Sequence, residues 1–130
     1  MFNEDGPAWG SSGSADAIEV MESADGVAVL ALSGELDIAR TPRLRVAINE
    51  VLRAHPAALV IDLCQVSFAD STALALLLNA QRRATEQGTP LRLACNVATT
   101  LELLSLTRLD REFEIHRSRR SAIRASRPSA

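Results

Sequence analysis

No apolar run in this sequence approaches the roughly 20 residues that a bilayer span requires. Segments such as AALVIDL and ALALLL suit a buried strand and one side of a helix, and the chain does not open on a basic stretch followed by an apolar one. A membrane-spanning or secreted protein is therefore not expected, and the chain reads as cytoplasmic with no membrane partner. Cysteine is equally scarce. Cys64 and Cys95 have neither CxxC spacing nor a histidine close in sequence, so no disulfide framework and no metal set is expected, and both read as small buried hydrophobes. The histidines are His55, beside Pro56, and His116, and neither position places an imidazole next to a hydroxyl nucleophile. With no G-x-S-x-G elbow and no P-loop, the chain reads as a non-enzyme that needs no cofactor.

Positive charge is short over most of the chain. Residues 1–116 hold all 16 acids against nine arginines, a balance of −7, while Arg117, Arg119, Arg120, Arg124 and Arg127 follow and bring the net charge to −2. An acidic body cannot neutralise phosphates, which argues against nucleic acid as a partner. The five late arginines, set among Ser and Ala, read as a solvated helix face.

What is present is enough apolar material, 47% of 130 residues, for one core and hence a single domain. Residues 1–16, rich in Gly, Ser and acids and without periodicity, are expected to be disordered, as are 127–130; the domain is expected over 17–126. AIEVMES and VAVLALSG flank turn chemistry at Ala24-Asp25-Gly26 and predict an antiparallel hairpin. Thr41 as N-cap and Pro42 as the first helical residue then open a helix with Leu44, Ala47, Ile48, Val51 and Leu52 at helical spacing. AALVIDL, 57–63, is apolar but for Asp62 and predicts a strand covered on both faces.

From Ser71 a helix carries Ala73, Leu77, Ala80 and Ala84 on one stripe and ends at Gly88. A short strand in TPLRLAC, a helix opened by Asn96 with Leu101 and Leu104 inward, a strand in EFEIH and a helix capped by Ser118 and anchored by Ala122 and Ile123 complete the chain. The order β-β-α-β-α-β-α-β-α predicts an α/β fold, a mixed sheet with helices packed on it.

If strands 27–33 and 57–63 are parallel, their C-terminal ends share one sheet edge, where sites form in open α/β sheets. The loops expected there are GELDIAR and CQVSFADST. Asp37 is thus expected near Asp70, Ser71 and Thr72, although 33 positions separate it from Asp70. The plainest role for ADST is helix capping, with Asp70 or Ser71 accepting a bond from a free amide for about 1 kcal/mol. Capping uses one such group, however, and leaves a hydroxyl in the first helical turn, where free amides and the positive end of the helix dipole suit a phosphate.

GELDIARTPRLR together with IDLCQVSFADSTALALLL resembles the STAS domain of bacterial anti-sigma factor antagonists, with its GELD-type loop and D-S-[ST]-G-L segment, and the resemblance spans residues 17–126. It implies a partner-switching protein. The unphosphorylated form binds an anti-sigma factor that is also a serine/threonine kinase, phosphorylation at the helix start ends that binding, and a phosphatase restores it. Motif alignment puts Thr72 in the acceptor position, with Ser71 as the alternative, and matches Asp37 and Asp70 to the family's acidic positions beside it. The sequence departs from the family at two places, with Thr for the commoner Ser and Ala73 for the customary Gly. The implied partner-binding surface is Glu35, Asp37, Asp70 and Ser71, to which the helix wheel adds Leu74 and Leu78, as an exposed apolar pair or one covered by a neighbouring helix. The alternative reading is a STAS interaction subunit of a transport or signalling assembly that is never phosphorylated.

Overall fold

Five strands lie side by side in chain order, β1 (Ile18–Glu22), β2 (Val27–Leu36), β3 (Ala58–Ala69), β4 (Leu91–Ala94) and β5 (Glu114–His116), in a computed structural model that describes residues 17–23 and 25–127. The expectations for 1–16 and 128–130 fall outside the described residues, whereas Arg127, counted with the disordered tail, is described and its Nε meets Asp25 Oδ2 at 2.9 Å. Strand β1 pairs antiparallel with β2 through Val20↔Leu30, and β2, β3, β4 and β5 are mutually parallel. The helices α1 (Thr41–Arg53), α2 (Ser71–Gln87) and α3 (Ala98–Leu106) make the three crossovers, a single 3-10 turn follows at Leu109–Arg111, and α4 (Arg119–Ser126) closes the chain. The α/β order expected from the sequence is therefore the one observed.

Because each parallel step moves to the next strand in the same direction, right-handed crossovers put α1, α2 and α3 on one face of the sheet. The core divides accordingly. Ala28, Leu30, Leu32, Leu59, Ile61 and Leu63 point to the large cluster that holds the buried residues of those three helices. Val27, Val29, Ala58 and Val60 point the other way, where Ala122 and Ile123 of α4 cover them. Strict alternation along β2 and β3 thus buries both faces, as expected for a parallel strand rich in Val, Leu and Ile.

Several local expectations need correction. Strands β2 and β3 are longer than the apolar runs suggested, taking in GELDIAR as far as Leu36 and most of CQVSFADST, as far as Ala69: Glu35 pairs with Phe68 and Leu36 with Ala69, past register shifts at Ala31/Ser33 and Gly34/Glu35. Gly34 sits there at φ +83, a conformation that suits glycine, which accounts for the glycine of GELD. Thr41 is not the cap of α1. Arg40 holds that position, and the Thr41 hydroxyl donates to Ile38 O at 2.9 Å. Asn96 does not open α3, which starts after Val97, because its amide donates to Arg117 O at 3.2 Å.

The arginine-rich end is not simply a solvated face. Arg119 Nε donates to Asp62 Oδ2 at 2.7 Å with both side chains 6% exposed, and Asp62 Oδ1 also accepts from Cys64 N at 2.8 Å. The lone acid of β3, buried in its apolar half, had to find a partner, and α4 supplies it. Cys95 packs in the large cluster and Cys64 against the small one, so the two thiols lie on opposite faces of the sheet. Burial, followed by the neighbouring Asp62 carboxylate, pushes the Cys64 thiol up to about 12. Burial likewise raises Cys95. Among the described residues no helix is long and apolar enough to cross a membrane, and no three His, Cys, Asp or Glu side chains gather to hold a metal ion.

Candidate functional site

At the C-terminal edge of the sheet, β2 and β3 end side by side and their exits are tied together. Backbone pairing continues one step past the ladder, with Asp70 N donating to Leu36 O at 3.0 Å. The Asp70 side chain then makes two bonds at once. Oδ1 accepts from Ala73 N at 3.0 Å and caps α2, while Oδ2 accepts from Ile38 N at 3.1 Å in the GELD segment. One carboxylate therefore fixes the helix start against the loop that precedes α1.

That answers the capping question raised by ADST. The cap is Asp70, in extended conformation at φ −94 and ψ 177, and neither hydroxyl provides it. Ser71 and Thr72 are the first two helical residues, Ser71 exposed and Thr72 half-buried. Their backbone amides precede the first intrahelical bond, Leu74 N to Asp70 O at 3.1 Å, and so are among the free donors of a helix start. Ala73, in place of glycine, is an ordinary helical residue here, fully buried in the large cluster.

The loop is held as firmly as the helix. Asp37 Oδ1 accepts from Ala39 N at 3.1 Å, and Arg40 N donates to Asp37 O at 3.0 Å, which closes a tight turn. Arg40 is the residue that reading the sequence missed. Its buried guanidinium donates to Ser33 O at 2.8 Å, Glu35 O at 2.7 Å and Ala17 O at 3.1 Å, satisfying carbonyls along the irregular stretch of β2 and the start of β1. The signal available was an arginine directly after the GELD turn, but nothing in its spacing distinguishes a latch from a surface cation.

The structure therefore brings Asp37, Asp70, Ser71 and Thr72 to one edge, with Glu35 exposed on the adjoining strand end. It does not bring Leu74 to the surface. Leu74 is 3% exposed and belongs to the large core cluster, and Leu78 is half-buried. Their side of α2 faces the segment after α3, where Gln81 Nε2 donates to Glu112 O at 2.7 Å, so an exposed Leu74/Leu78 pair is ruled out. The apolar residues that do reach solvent include Ile38, in the GELD turn, and Phe68, two residues before Asp70.

Both histidines lie away from the hydroxyls. His55 follows α1 at its far end, since α1 starts at the site edge and runs away from it. His116 bonds to Glu114 Oε2 at 2.6 Å and to Ser121 Oγ at 3.1 Å beside α4.

Comparison with known proteins agrees with this geometry. The sequence model of the STAS domain matches residues 20–122. The anti-sigma-F factor antagonist RsfB of Mycobacterium tuberculosis is 47% identical over 53 residues, a stretch that covers 41% of this chain and only 43% of that protein. A crystal structure of an anti-sigma factor antagonist from Mycobacterium paratuberculosis superposes with a TM-score of 0.77 at 32% identity, over 87% of this chain and 97% of that one. SpoIIAA of Bacillus in its phosphorylated form, at 18% identity and a TM-score of 0.66 over 84% of this chain and 99% of that one, shares the fold.

Proposed function

The chain belongs to the STAS domain family, and on that premise we propose that it is an anti-sigma factor antagonist, binding an anti-sigma factor kinase while Thr72 is unmodified and released once Thr72 is phosphorylated. The observation that carries the proposal is the division of labour at the start of α2. Asp70 takes the cap and the bond to the loop, so the hydroxyl of Thr72, half-exposed in the first turn, is left out of capping. The likeness to the Mycobacterium paratuberculosis antagonist over most of both chains supports the same reading.

The chemistry at that hydroxyl is phosphoryl transfer. The kinase passes the γ-phosphoryl of ATP to Thr72 Oγ1, the hydroxyl proton leaves, and ADP is released; a phosphatase returns the hydroxyl by hydrolysis. The phosphate gains the free amides and positive dipole end of α2, so the helix tolerates it. What changes is the contact surface. A phosphate adds about −1.5 to −2 charge beside Asp37 and Asp70. At ~4 Å and an effective dielectric near ~20, two unit charges interact by about 4 kcal/mol, close to ~10³ in affinity, so repulsion against a partner acid suffices for release without a change of fold.

The test incubates the purified chain with candidate anti-sigma kinases and ATP and locates phosphate by mass spectrometry. Label on Thr72, lost in Thr72→Ala and retained in Ser71→Ala, is the expected result. Label confined to Ser71 would move the acceptor by one residue. No label on either, with binding intact, would overturn the switch and leave an interaction subunit that is never phosphorylated.

A further inference from the structure

Helix α3 is apolar on more sides than the sheet can cover. Four leucines fall within six residues, Leu101, Leu103, Leu104 and Leu106, and only Leu104 is fully buried, while Leu101 and Leu103 are half-buried and Leu106 is 74% exposed. Leu103 and Leu106 thus carry the apolar arc of α3 past the part the sheet covers, while Glu102 and Ser105 form its polar side. Between α3 and the outgoing end of β3 runs an open groove, walled by Phe68, Ala69, Thr100, Leu103 and Leu106 with Glu102 at its rim. Phe68 is 51% exposed, pairs with Glu35 of β2 and stands two residues before Asp70, so the groove opens beside the strand ends that lead into the Asp37 loop and Asp70.

From this we infer that the groove between Phe68 and Leu106 is the second half of the docking surface for the anti-sigma partner, and that it receives an apolar side chain flanked by lysine or arginine. The inference rests on the partner-switching reading above and deepens it. Charge selects the occupant. Glu102 lines the groove and no base does, and Asp37 and Asp70 stand on the adjoining rim, so a basic partner is attracted and an acidic one repelled. A second copy of this chain, whose residues 1–116 carry a balance of −7, is disfavoured on the same ground. The two halves divide the work. The groove supplies apolar contact in either state of the switch, and the rim decides by charge whether that contact is reached.

The experiment measures affinity of the full chain for the anti-sigma kinase that phosphorylates it, by titration calorimetry, for Leu106→Arg, Phe68→Ser, Glu102→Lys, Thr72→Glu and Val20→Arg. Val20 is a control, 55% exposed on the edge strand β1. Leu106→Arg and Phe68→Ser are expected to weaken binding at least tenfold with unchanged melting temperatures, Glu102→Lys several-fold, and Val20→Arg not at all. If Thr72→Glu abolishes binding while Leu106→Arg and Phe68→Ser bind like the unmodified sequence, the groove is not part of the interface and the switch stands without it. Tighter binding by Glu102→Lys would overturn the basic character assigned to the partner. If no kinase binds the unmodified sequence, the underlying reading falls and this one with it. Concentration-dependent self-association lost in Leu106→Arg would show a second copy to be the occupant, which also overturns it.

Discussion

Replacing Asp70 by alanine separates the two roles at the start of α2 most sharply. The substitution removes the bond to Ala73 N, an N-cap worth about 1 kcal/mol, and the bond to Ile38 N. The second is charge-assisted, but it lies where water can replace it, so about 1 kcal/mol more is the appropriate size. The total is about 2 kcal/mol. For a folding unit of this size, with unfolding entropy near ~2.1 cal/mol/K per residue, that lowers Tm by about 8 °C. Asp70→Asn keeps an acceptor at the cap and should lose about half as much. Thr72→Ala and Ser71→Ala, which touch neither bond, should each stay within ~2 °C. Thermal unfolding followed by circular dichroism reads all four. If Asp70→Ala melts within ~2 °C of the unmodified chain, or if either hydroxyl variant falls as far as Asp70→Ala does, the assignment of the cap is wrong. A hydroxyl at the head of α2 then takes part in capping and is not spare for modification.

Other consequences can be measured independently of any partner. Arg119→Met strands the Asp62 carboxylate in the core and should cost about 3–5 kcal/mol in urea unfolding, whereas Asp62→Leu combined with Arg119→Met should recover most of the loss, because apolar replacement of a whole buried pair is often neutral. The His116 and Arg92 side chains, both bonded to Glu114 Oε2, hold its carboxyl below its ordinary value of 4.5. Since the folded value is the lower one, the contribution is present above that pH and lost as pH falls below it. Because Glu114 is 53% exposed, Glu114→Gln should flatten the acid limb of an unfolding-free-energy-against-pH curve by less than about 1 kcal/mol, and an unchanged limb would dismiss the contact. Finally, a Cys64 thiol pushed up to about 12 and a Cys95 thiol buried in the core should leave native protein unlabelled by iodoacetamide at pH 8, with both thiols labelled in denaturant.

The element order could be read from the chain because its signals are local. Pro after Thr41, Gly88 at φ +80 closing α2, Ser118 accepting from Ser121 N at 3.0 Å, and the switch between two-residue and helical periodicity each act within a few residues, and all appear in the structure. That the loop of Asp37 meets the ADST segment could also be inferred, because two parallel strands joined by one helix must end at the same edge. Leu74, Arg40 and Arg119 could not be placed. Each is a residue whose surroundings come from a distant segment: the body packed on the Gln81 side of α2 for Leu74, the irregular carbonyls of β2 for Arg40, and Asp62, 57 positions away, for Arg119.

Local chemistry along the chain settled which segments are strand or helix, where the helices end, and which hydroxyls stand at the head of α2. Three-dimensional packing settled which of those groups are already engaged. A single carboxylate has two oxygens and can satisfy amides from two segments at once, a fact that spacing does not encode, and the same holds for which leucines the sheet covers and which, like Leu106, it leaves to solvent.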